Sequence, residues 1–176
     1  MSVVVIVIAI SWLVLTLWAE GEGPEKVWKI GAPSLKSRVL IVYDPDPFYN
    51  LDERACRAFG QAMADSGIGA TVATVAAARE LTQNDFDVYV FCANTYNWRP
   101  DWAVTDFIRH DVMLHARPVV GIVLGAGSTE WSKKAFGRII DSSGAMLIDA
   151  NGWQPLRLWS LSLPFAPSKH KRPHLS

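Results

Sequence analysis

The chain has 176 residues, half of them hydrophobic, so it can bury a core of ordinary size. Its 17 acidic and 17 basic residues give a net charge of zero, which argues against nucleic acid as a partner. Its two cysteines, Cys56 and Cys92, fall in a predicted helix and a predicted buried strand. This pattern excludes a disulfide framework and gives no metal-binding spacing, so both are interpreted as buried thiols.

Residues 1–19 are predicted to form a transmembrane anchor. The run from Ser2 to Ala19 carries no charge and consists almost entirely of Val, Ile, Leu and Trp. At a rise of about 1.5 Å per residue, such a run approaches the thickness of about 30 Å of a bilayer's hydrocarbon core. A cleaved signal peptide and a buried helix are the alternatives, but no basic residue precedes the run and leucine stands two places before Ala19. Contact with a membrane is expected through residues 3–19.

The charges after this run indicate its orientation. Lys26, Lys29, Lys36 and Arg38 follow the run, and no basic residue precedes it. Because basic residues favour the cytoplasmic side, the sequence predicts a single-pass membrane protein whose globular part is cytoplasmic. Residues 20–37 are rich in Gly, Pro and charge, and are predicted to be a linker between anchor and domain.

A buried strand and a proline-containing loop open the globular part. Residues 39–42 form a continuous aliphatic run, which is typical of a strand covered on both faces. Pro45 and Pro47 then prevent further ladder hydrogen bonds and predict a loop. A helix is predicted from Asn50, whose side chain is expected to form a capping box with Glu53.

Strands and helices then alternate as far as residue 149. Four more strands are predicted, separated by helices with short links, at residues 70–75, 88–93, 119–124 and 145–149. The alternation predicts an α/β domain over residues 38–150, with a doubly wound, five-stranded parallel sheet in the order 2-1-3-4-5. Residues 151–176 combine prolines, bulky apolar residues and a basic end, and are predicted to be a C-terminal extension.

Two loops of the predicted sheet carry a family resemblance. Thr95, Tyr96 and Trp98 follow the third strand, and the stretch VVGIVLGAGSTEW places a glycine-bearing loop after the fourth. With the five-strand pattern, these stretches resemble the flavodoxin family over about residues 38–149. The resemblance implies a flavodoxin-like fold, FMN as cofactor, and either electron transfer to a redox partner protein or an FMN-dependent reductase activity.

The resemblance also implies a cofactor site above the strand ends. Tyr96 and Trp98 are expected to stack on the isoalloxazine ring, and Asn94 and Gly127 to bond to it through their backbones. It implies no catalytic residue and no metal ligand. The implied cofactor-binding residues are Tyr49, Asn50, Asn94, Thr95, Tyr96, Asn97, Trp98, Gly125, Gly127 and Ser128.

The first loop departs from the family's pattern. Flavodoxins hold the FMN phosphate with a hydroxyl-rich loop that contains a Gly-Asn pair, whereas this chain has DPDPFYNLDER. Carboxylates repel a dianion and prolines lack N–H donors, so Tyr49 and Asn50 are expected to make whatever phosphate contact survives. Weak or altered FMN binding is expected. The alternative is a degenerate flavodoxin-like domain without FMN that acts as a protein- or ligand-binding module.

Asp44 and Asp46 suggest two further interpretations. A receiver domain would need a phosphorylatable Asp after the third strand, where this chain has Cys92, Ala93 and Asn94, so that interpretation is rejected. A divalent cation on the two aspartates is kept as an alternative, because carboxylate oxygens suit Mg²⁺. A solvated acidic loop is favoured over both.

Overall fold

The computed structural model describes residues 2–47, 49–125 and 127–153. Its elements give an α/β domain of three layers, with helices on both faces of a mostly parallel sheet. In chain order they are α1 (Ser2–Ala19), β1 (Val27–Ile30), β2 (Arg38–Tyr43), α2 (Leu51–Asp65), β3 (Gly69–Thr74), α3 (Val75–Leu81), β4 (Val88–Tyr96), β5 (Arg99–Pro100), α4 (Trp102–Asp106) with a π-helical continuation (Phe107–Asp111), β6 (Pro118–Leu124), α5 (Glu130–Ser142) and β7 (Met146–Trp153).

The described part of the sheet follows the order β1-β3-β2-β4-β6-β7, and the short β5 pairs with β4 beside this path. The five strands β2, β3, β4, β6 and β7 are mutually parallel and stand in the predicted order 2-1-3-4-5. The sheet differs from the prediction in two added strands, β1 and β5, which both pair antiparallel. The predicted fold class is therefore confirmed, and the strand number is larger than predicted.

Strand β2 lies at the centre of two hydrophobic cores, one on each face of the sheet. Leu40 and Val42 contribute to the core beneath α3, α4 and α5, while Val39, Ile41 and Tyr43 contribute to the core beneath α2. All five side chains are at most 1% exposed. Burial on both faces is the reason that this strand reads as an unbroken apolar run.

Helix α1 corrects the prediction of a membrane anchor. Within the described residues, no helix has both the length and the apolar character needed to cross a membrane. The end of α1 at Ala19 is buried, as is the adjoining Glu20. The predicted transmembrane anchor and the single-pass membrane localisation are therefore wrong, while membrane contact through residues 3–19 stays a prediction. Most of the apolar side chains from Val3 to Trp18 are nevertheless exposed.

The predicted linker over residues 20–37 contains strand β1. This strand runs antiparallel to β3, with Val27 opposite Ala73 and Ile30 opposite Ala70, and extends the sheet by one edge strand. The predicted C-terminal extension begins inside β7, which continues to Trp153. The rest of that extension, residues 154–176, lies outside the described residues.

The helix starts also differ from the sequence pattern. Asn50 is the N-cap residue of α2, but its side chain makes no capping hydrogen bond, so the predicted capping box with Glu53 is wrong. The helical segment after β5 begins at Trp102, where Asp101 is the N-cap residue, and ends at Asp111. On α5, Ser132, Phe136 and Ile140 form the buried face, and Trp131 is 72% exposed.

Two helical glycines provide a matched test of this packing. A Cβ on Gly60 of α2 would lie 3.0 Å from Val72 and 3.1 Å from Ile30, whereas one on Gly137 of α5 would meet Leu147 at an ordinary 3.9 Å. We expect Gly137→Ala to raise the free energy of unfolding by up to about 1 kcal/mol through helix propensity. Gly60→Ala is expected to lower it by about 1–2 kcal/mol, because overpacking exceeds that gain. Denaturant unfolding of both variants checks this, and an equal gain for both would show that α2 is not tightly packed on the sheet.

Candidate functional site

The carboxyl ends of β2, β4 and β6 lie side by side, which brings three loops to one edge of the sheet. The described parts of these loops are residues 44–47, 49 and 50 after β2, the turn at Asn97 and Trp98 after β4, and residues 125 and 127–129 after β6. In open α/β sheets this edge is where ligands bind. The crevice between the three loops is therefore the candidate site.

A buried carboxylate binds backbone N–H groups of the loop after β2 and of the start of α2. Asp52, in the first turn of α2, is 1% exposed. Its carboxylate oxygens accept hydrogen bonds from the backbone N–H of Asp46 at 2.7 Å and from that of Glu53 at 2.8 Å. Asp46 in turn accepts the backbone N–H of Tyr49 at 3.0 Å. The N–H groups of Asp46, Tyr49 and Glu53, which could otherwise help to hold an anion, are thus bonded to the carboxylates of Asp46 and Asp52.

The segment after α1 covers the end of β2. The backbone N–H of Gly23 donates to Oδ1 of Asp44 at 2.9 Å, and Asp44 is 4% exposed. Gly23 also lies so close to Pro45 that a Cβ on it would come within 2.6 Å of the proline ring. Glu20 is also buried, and a guanidinium nitrogen of Arg99 lies 3.8 Å from its carboxylate. The segment after α1 therefore covers the part of the crevice at Asp44 and Pro45, which we call the front of the crevice.

Asn94 and Asp101 fix the end of β4. The carboxylate of Asp101 accepts the backbone N–H of Asn94 at 2.8 Å and that of Val104 at 2.9 Å, so it caps α4 as well. The side-chain amide of Asn94 donates to the backbone carbonyl of Asp44 and to Asp52. Asn94 thus joins β4 to the loop after β2, and its polar groups are engaged by protein.

Tyr96 faces the acidic loop. Its hydroxyl donates to Oδ2 of Asp46 at 2.8 Å. Burial and the neighbouring Asp46 carboxylate raise the pKa of Tyr96. This hydrogen bond links the Tyr96 side chain to the loop after β2. The stacking role of Tyr96 stays a prediction.

Trp98 stands in a tight turn between β4 and β5. Asn97 has a φ of 48° and Trp98 a φ of 62°, as in the two-residue turns that join twisted strands. This turn leaves the Trp98 side chain 67% exposed. Together with Asn97, Arg99 and Trp131 it lines a depression of about 340 Å³, which we call the tryptophan depression.

The loop after β6 is closely packed at one end and open at the other. A Cβ on Gly125 would lie 2.9 Å from Thr129 and 3.2 Å from Thr95, so only glycine fits. The hydroxyl of Thr95 is buried there, without a hydrogen-bond partner in the part of the chain that the structure describes. Gly127 and Ser128 are exposed, and a Cβ on Gly127 would meet nothing within 4 Å.

Burial dominates the electrostatics of the crevice. It raises the pKa of Asp44 to about 7, partly opposed by the Gly23 N–H and reinforced by Glu22 and Asp52. Burial also raises the pKa of Asp52 and of Asp101, although backbone N–H groups oppose both shifts. These shifts mean that the front of the crevice tolerates negative charge poorly.

The structure brings part of the predicted site together. Tyr96 and Asn94 face the loop after β2, whereas Trp98 and Asn97 lie at the tryptophan depression. Tyr49 is 74% exposed. The predicted set omitted several residues that shape the crevice, and their sequence signal was a charged or aromatic side chain near a predicted strand end: Asp44, Asp52, Arg99, Asp101 and Trp131. The alternative of a divalent cation on Asp44 and Asp46 gains no support, since no group of three or more ligating side chains in the described residues is placed to hold a metal.

This chain is similar to known proteins in structure but not detectably in sequence. No protein-family model matches the sequence, and no curated protein matches it. Among solved structures, an archaeal flavodoxin is similar with a TM-score of 0.56 and 10% identity, over 67% of this chain and 85% of that one. The two-electron reduced flavodoxin of Megasphaera elsdenii gives 0.54 and 18%, over 65% and 84%. The apo form of an NADH:FMN oxidoreductase gives 0.53 and 11%, over 68% and 75%. At these identities the likeness establishes a flavodoxin-like fold.

The raised pKa of Asp44 predicts how stability depends on pH. Because this pKa lies near 7 in the folded state against 3.8 ordinarily, the stability that Asp44 contributes is present below about pH 4 and is lost as the pH rises through 7. Asp44→Asn keeps an oxygen for the Gly23 N–H and removes the charge. We expect the substitution to raise the free energy of unfolding by a few kcal/mol more at pH 8 than at pH 4, since one pKa unit is about 1.4 kcal/mol.

Denaturant unfolding at pH 4 and pH 8 measures the difference. The matched control is Asp141→Asn, at an exposed position on α5, which should leave the pH dependence unchanged. An Asp44→Asn protein with the same pH dependence as the parent would show that Asp44 is ionised at little cost.

Proposed function

We propose that this flavodoxin-like domain binds a flavin by its ring, in the tryptophan depression, and serves in electron transfer or reduction. The observation that carries the proposal is the placement of Trp98 and Trp131. These exposed aromatic side chains lie beyond the carboxyl ends of β4 and β6, Trp98 in the turn after β4 and Trp131 in the first turn of α5. The structural likeness to flavodoxins supports the same class of ligand.

The size and chemistry of the depression suit a flat ring. Its volume of about 340 Å³ is at the low end of the range of about 300–1,000 Å³ for small-molecule sites, so it would hold part of a flavin. Aromatic stacking adds about 0.5–1.5 kcal/mol beyond simple burial. Arg99 lies over the ring of Trp102 at 4.9 Å, which places a guanidinium at the rim. When bound, a flavin would supply the electron-accepting group, while Trp98 and Trp131 would orient its ring.

The FMN phosphate does not fit the loop after β2. A dianion there would meet the carboxylates of Asp44, Asp46 and Asp52. Two unit charges about 5 Å apart repel by about 3 kcal/mol at an effective dielectric constant of 20. The N–H groups of Asp46, Tyr49 and Glu53, which could compensate, already donate to carboxylates. We therefore place the phosphate outside this loop.

A second candidate function is a binding module without a flavin. The observation that favours it is the same self-contained loop, whose donors are engaged and whose front is covered by Gly23. In that case the tryptophan depression would hold an aromatic group of a protein or of another small ligand. Flavin titration separates the two candidates.

Titrations with riboflavin and FMN test the ring site. We expect both to bind with similar affinity, because the phosphate gains no contact at the loop after β2. Trp98→Ala and Trp131→Ala should each weaken riboflavin binding about two- to tenfold, as expected for the loss of one stacking contact. Trp12→Ala, an exposed tryptophan on α1, is the matched control and should not alter binding. Quenching of flavin fluorescence reports affinity, and absence of binding for both flavins would leave only the second candidate.

The variant Asp46→Thr tests the electrostatic argument. It removes the carboxylate that accepts a hydrogen bond from the Tyr96 hydroxyl. The new side chain carries a hydroxyl, as in the hydroxyl-rich phosphate loop of flavodoxins. We expect the ratio of FMN affinity to riboflavin affinity to stay within about twofold of the parent's, because the proposal places the phosphate outside this loop. Isothermal titration of both ligands measures the ratio. A rise of this ratio by about tenfold or more would contradict the proposal, because it would mean that the phosphate of bound FMN lies beside this loop.

A further inference from the structure

A large groove lies at the outer edge of the sheet, on the far side of α2 from the candidate site. It has a volume of about 820 Å³ and runs between β1, with Gly31, and four residues on one side of α2, namely Arg54, Arg57, Ala58 and Gln61. We call it the edge groove. In the described part of the chain, no strand pairs with the outer side of β1.

The hydrogen bonds of Lys26 show which backbone groups of β1 face the groove. The carbonyl of Lys26 accepts the N–H of Thr74 at 3.0 Å, and its N–H donates to the Thr74 hydroxyl, so both groups point toward β3. Backbone groups alternate in direction along an antiparallel strand. Trp28 and Ile30 therefore also bond toward β3, and the N–H and C=O groups of Val27 and Lys29 point outward. An extended segment could pair with them.

The edge groove is basic. Its lining contains Lys29, Arg54 and Arg57 and no acidic residue. Arg57 bonds to Glu53 at 3.3 Å and lies 5.3 Å from the centre of the Trp28 ring. Lys29 and Arg54 form no ion pair within the described residues. This imbalance of charge favours an acidic occupant.

We propose that the edge groove binds an acidic extended peptide segment of a partner protein, which adds to β1 as a further strand. Added strands gain affinity from main-chain hydrogen bonds and specificity from alternate side chains. A second copy of β1 is disfavoured, because its own lysine and the neighbouring arginines would meet like charges. Residues 154–176 of this chain contain no acidic side chain, so the charge does not favour them either.

The geometry specifies the pattern of the peptide. Trp28 and Ile30 face the core beneath α2, so residues paired opposite them point to the same face. Those positions are two residues apart and lie beside Arg54, Arg57 and Gln61. The segment should therefore carry Asp or Glu at alternate positions, with uncharged residues between them.

Peptide binding to the full chain tests this proposal. The probe is a capped eight-residue peptide of alternating Glu and Thr, followed by fluorescence anisotropy. We expect saturable binding, and about three- to tenfold weaker binding to the variant Arg54→Glu. The matched control is Arg138→Glu, an exposed arginine on α5, which should bind like the parent. Hydrogen exchange should slow at the Val27 and Lys29 amides when the peptide is bound.

Two altered peptides decide between strand addition and simple charge attraction. Replacing every Glu by Lys should abolish binding. N-methylation of alternate backbone amides, which leaves the charges in place, should weaken binding at least tenfold in one of its two registers. If both N-methylated registers bind like the parent peptide, or if Val27 and Lys29 exchange at an unchanged rate, strand addition is excluded. If the Glu peptide does not bind, or the Lys peptide binds equally well, the proposed acidic partner is excluded.

Discussion

The carboxylate of Asp52 holds the crevice of this domain in its present form. It lies at the start of α2, where an α/β fold offers unpaired N–H groups and a positive end of the helix dipole. In many proteins of this architecture those groups bind an anion from outside. Here Asp52 supplies the anion from within the chain, and its bonds to Asp46, Glu53 and Asn94 tie together β2, α2 and β4. The shape of the front of the crevice follows from this one buried group.

The parallel part of the sheet is predictable from the sequence because it is buried on both faces. Residues 39–42, 88–93 and 119–124 are continuous apolar runs, and short helical links leave few ways to order them. Strand β1 is different. It has four residues and alternates between half-buried and exposed, and it is defined by its pairing with β3. Its local sequence, between Gly- and Pro-containing stretches, therefore favoured a linker.

The candidate site is less predictable, since its contacts join distant parts of the chain. The sequence pattern identified the strand ends and the aromatic residues after β4. It predicted that the Asn50 side chain caps α2. Asp52, two positions later, is a capping residue by type as well, and its carboxylate is the one that accepts a first-turn N–H. The Asp46 N–H and the Asn94 amide donate hydrogen bonds to Asp52 and hold its side chain in place. Asn94 lies far away in the sequence, so a local pattern cannot predict this arrangement. The cover over Asp44 comes from Gly23, 21 residues earlier in the chain.

The crevice therefore has two chemically different ends. At the front, the buried carboxylates of Asp44, Asp52 and Asp101 oppose further negative charge, and burial keeps their pKa values high. At the back, Trp98 and Trp131 offer exposed aromatic surface beside Arg99. The lining of the tryptophan depression includes neither Asp52 nor its hydrogen-bond partners, whereas an anion at the start of α2 would compete with Asp52 for the N–H of Glu53. Charge, more than volume, therefore decides which ligands this flavodoxin-like fold accepts.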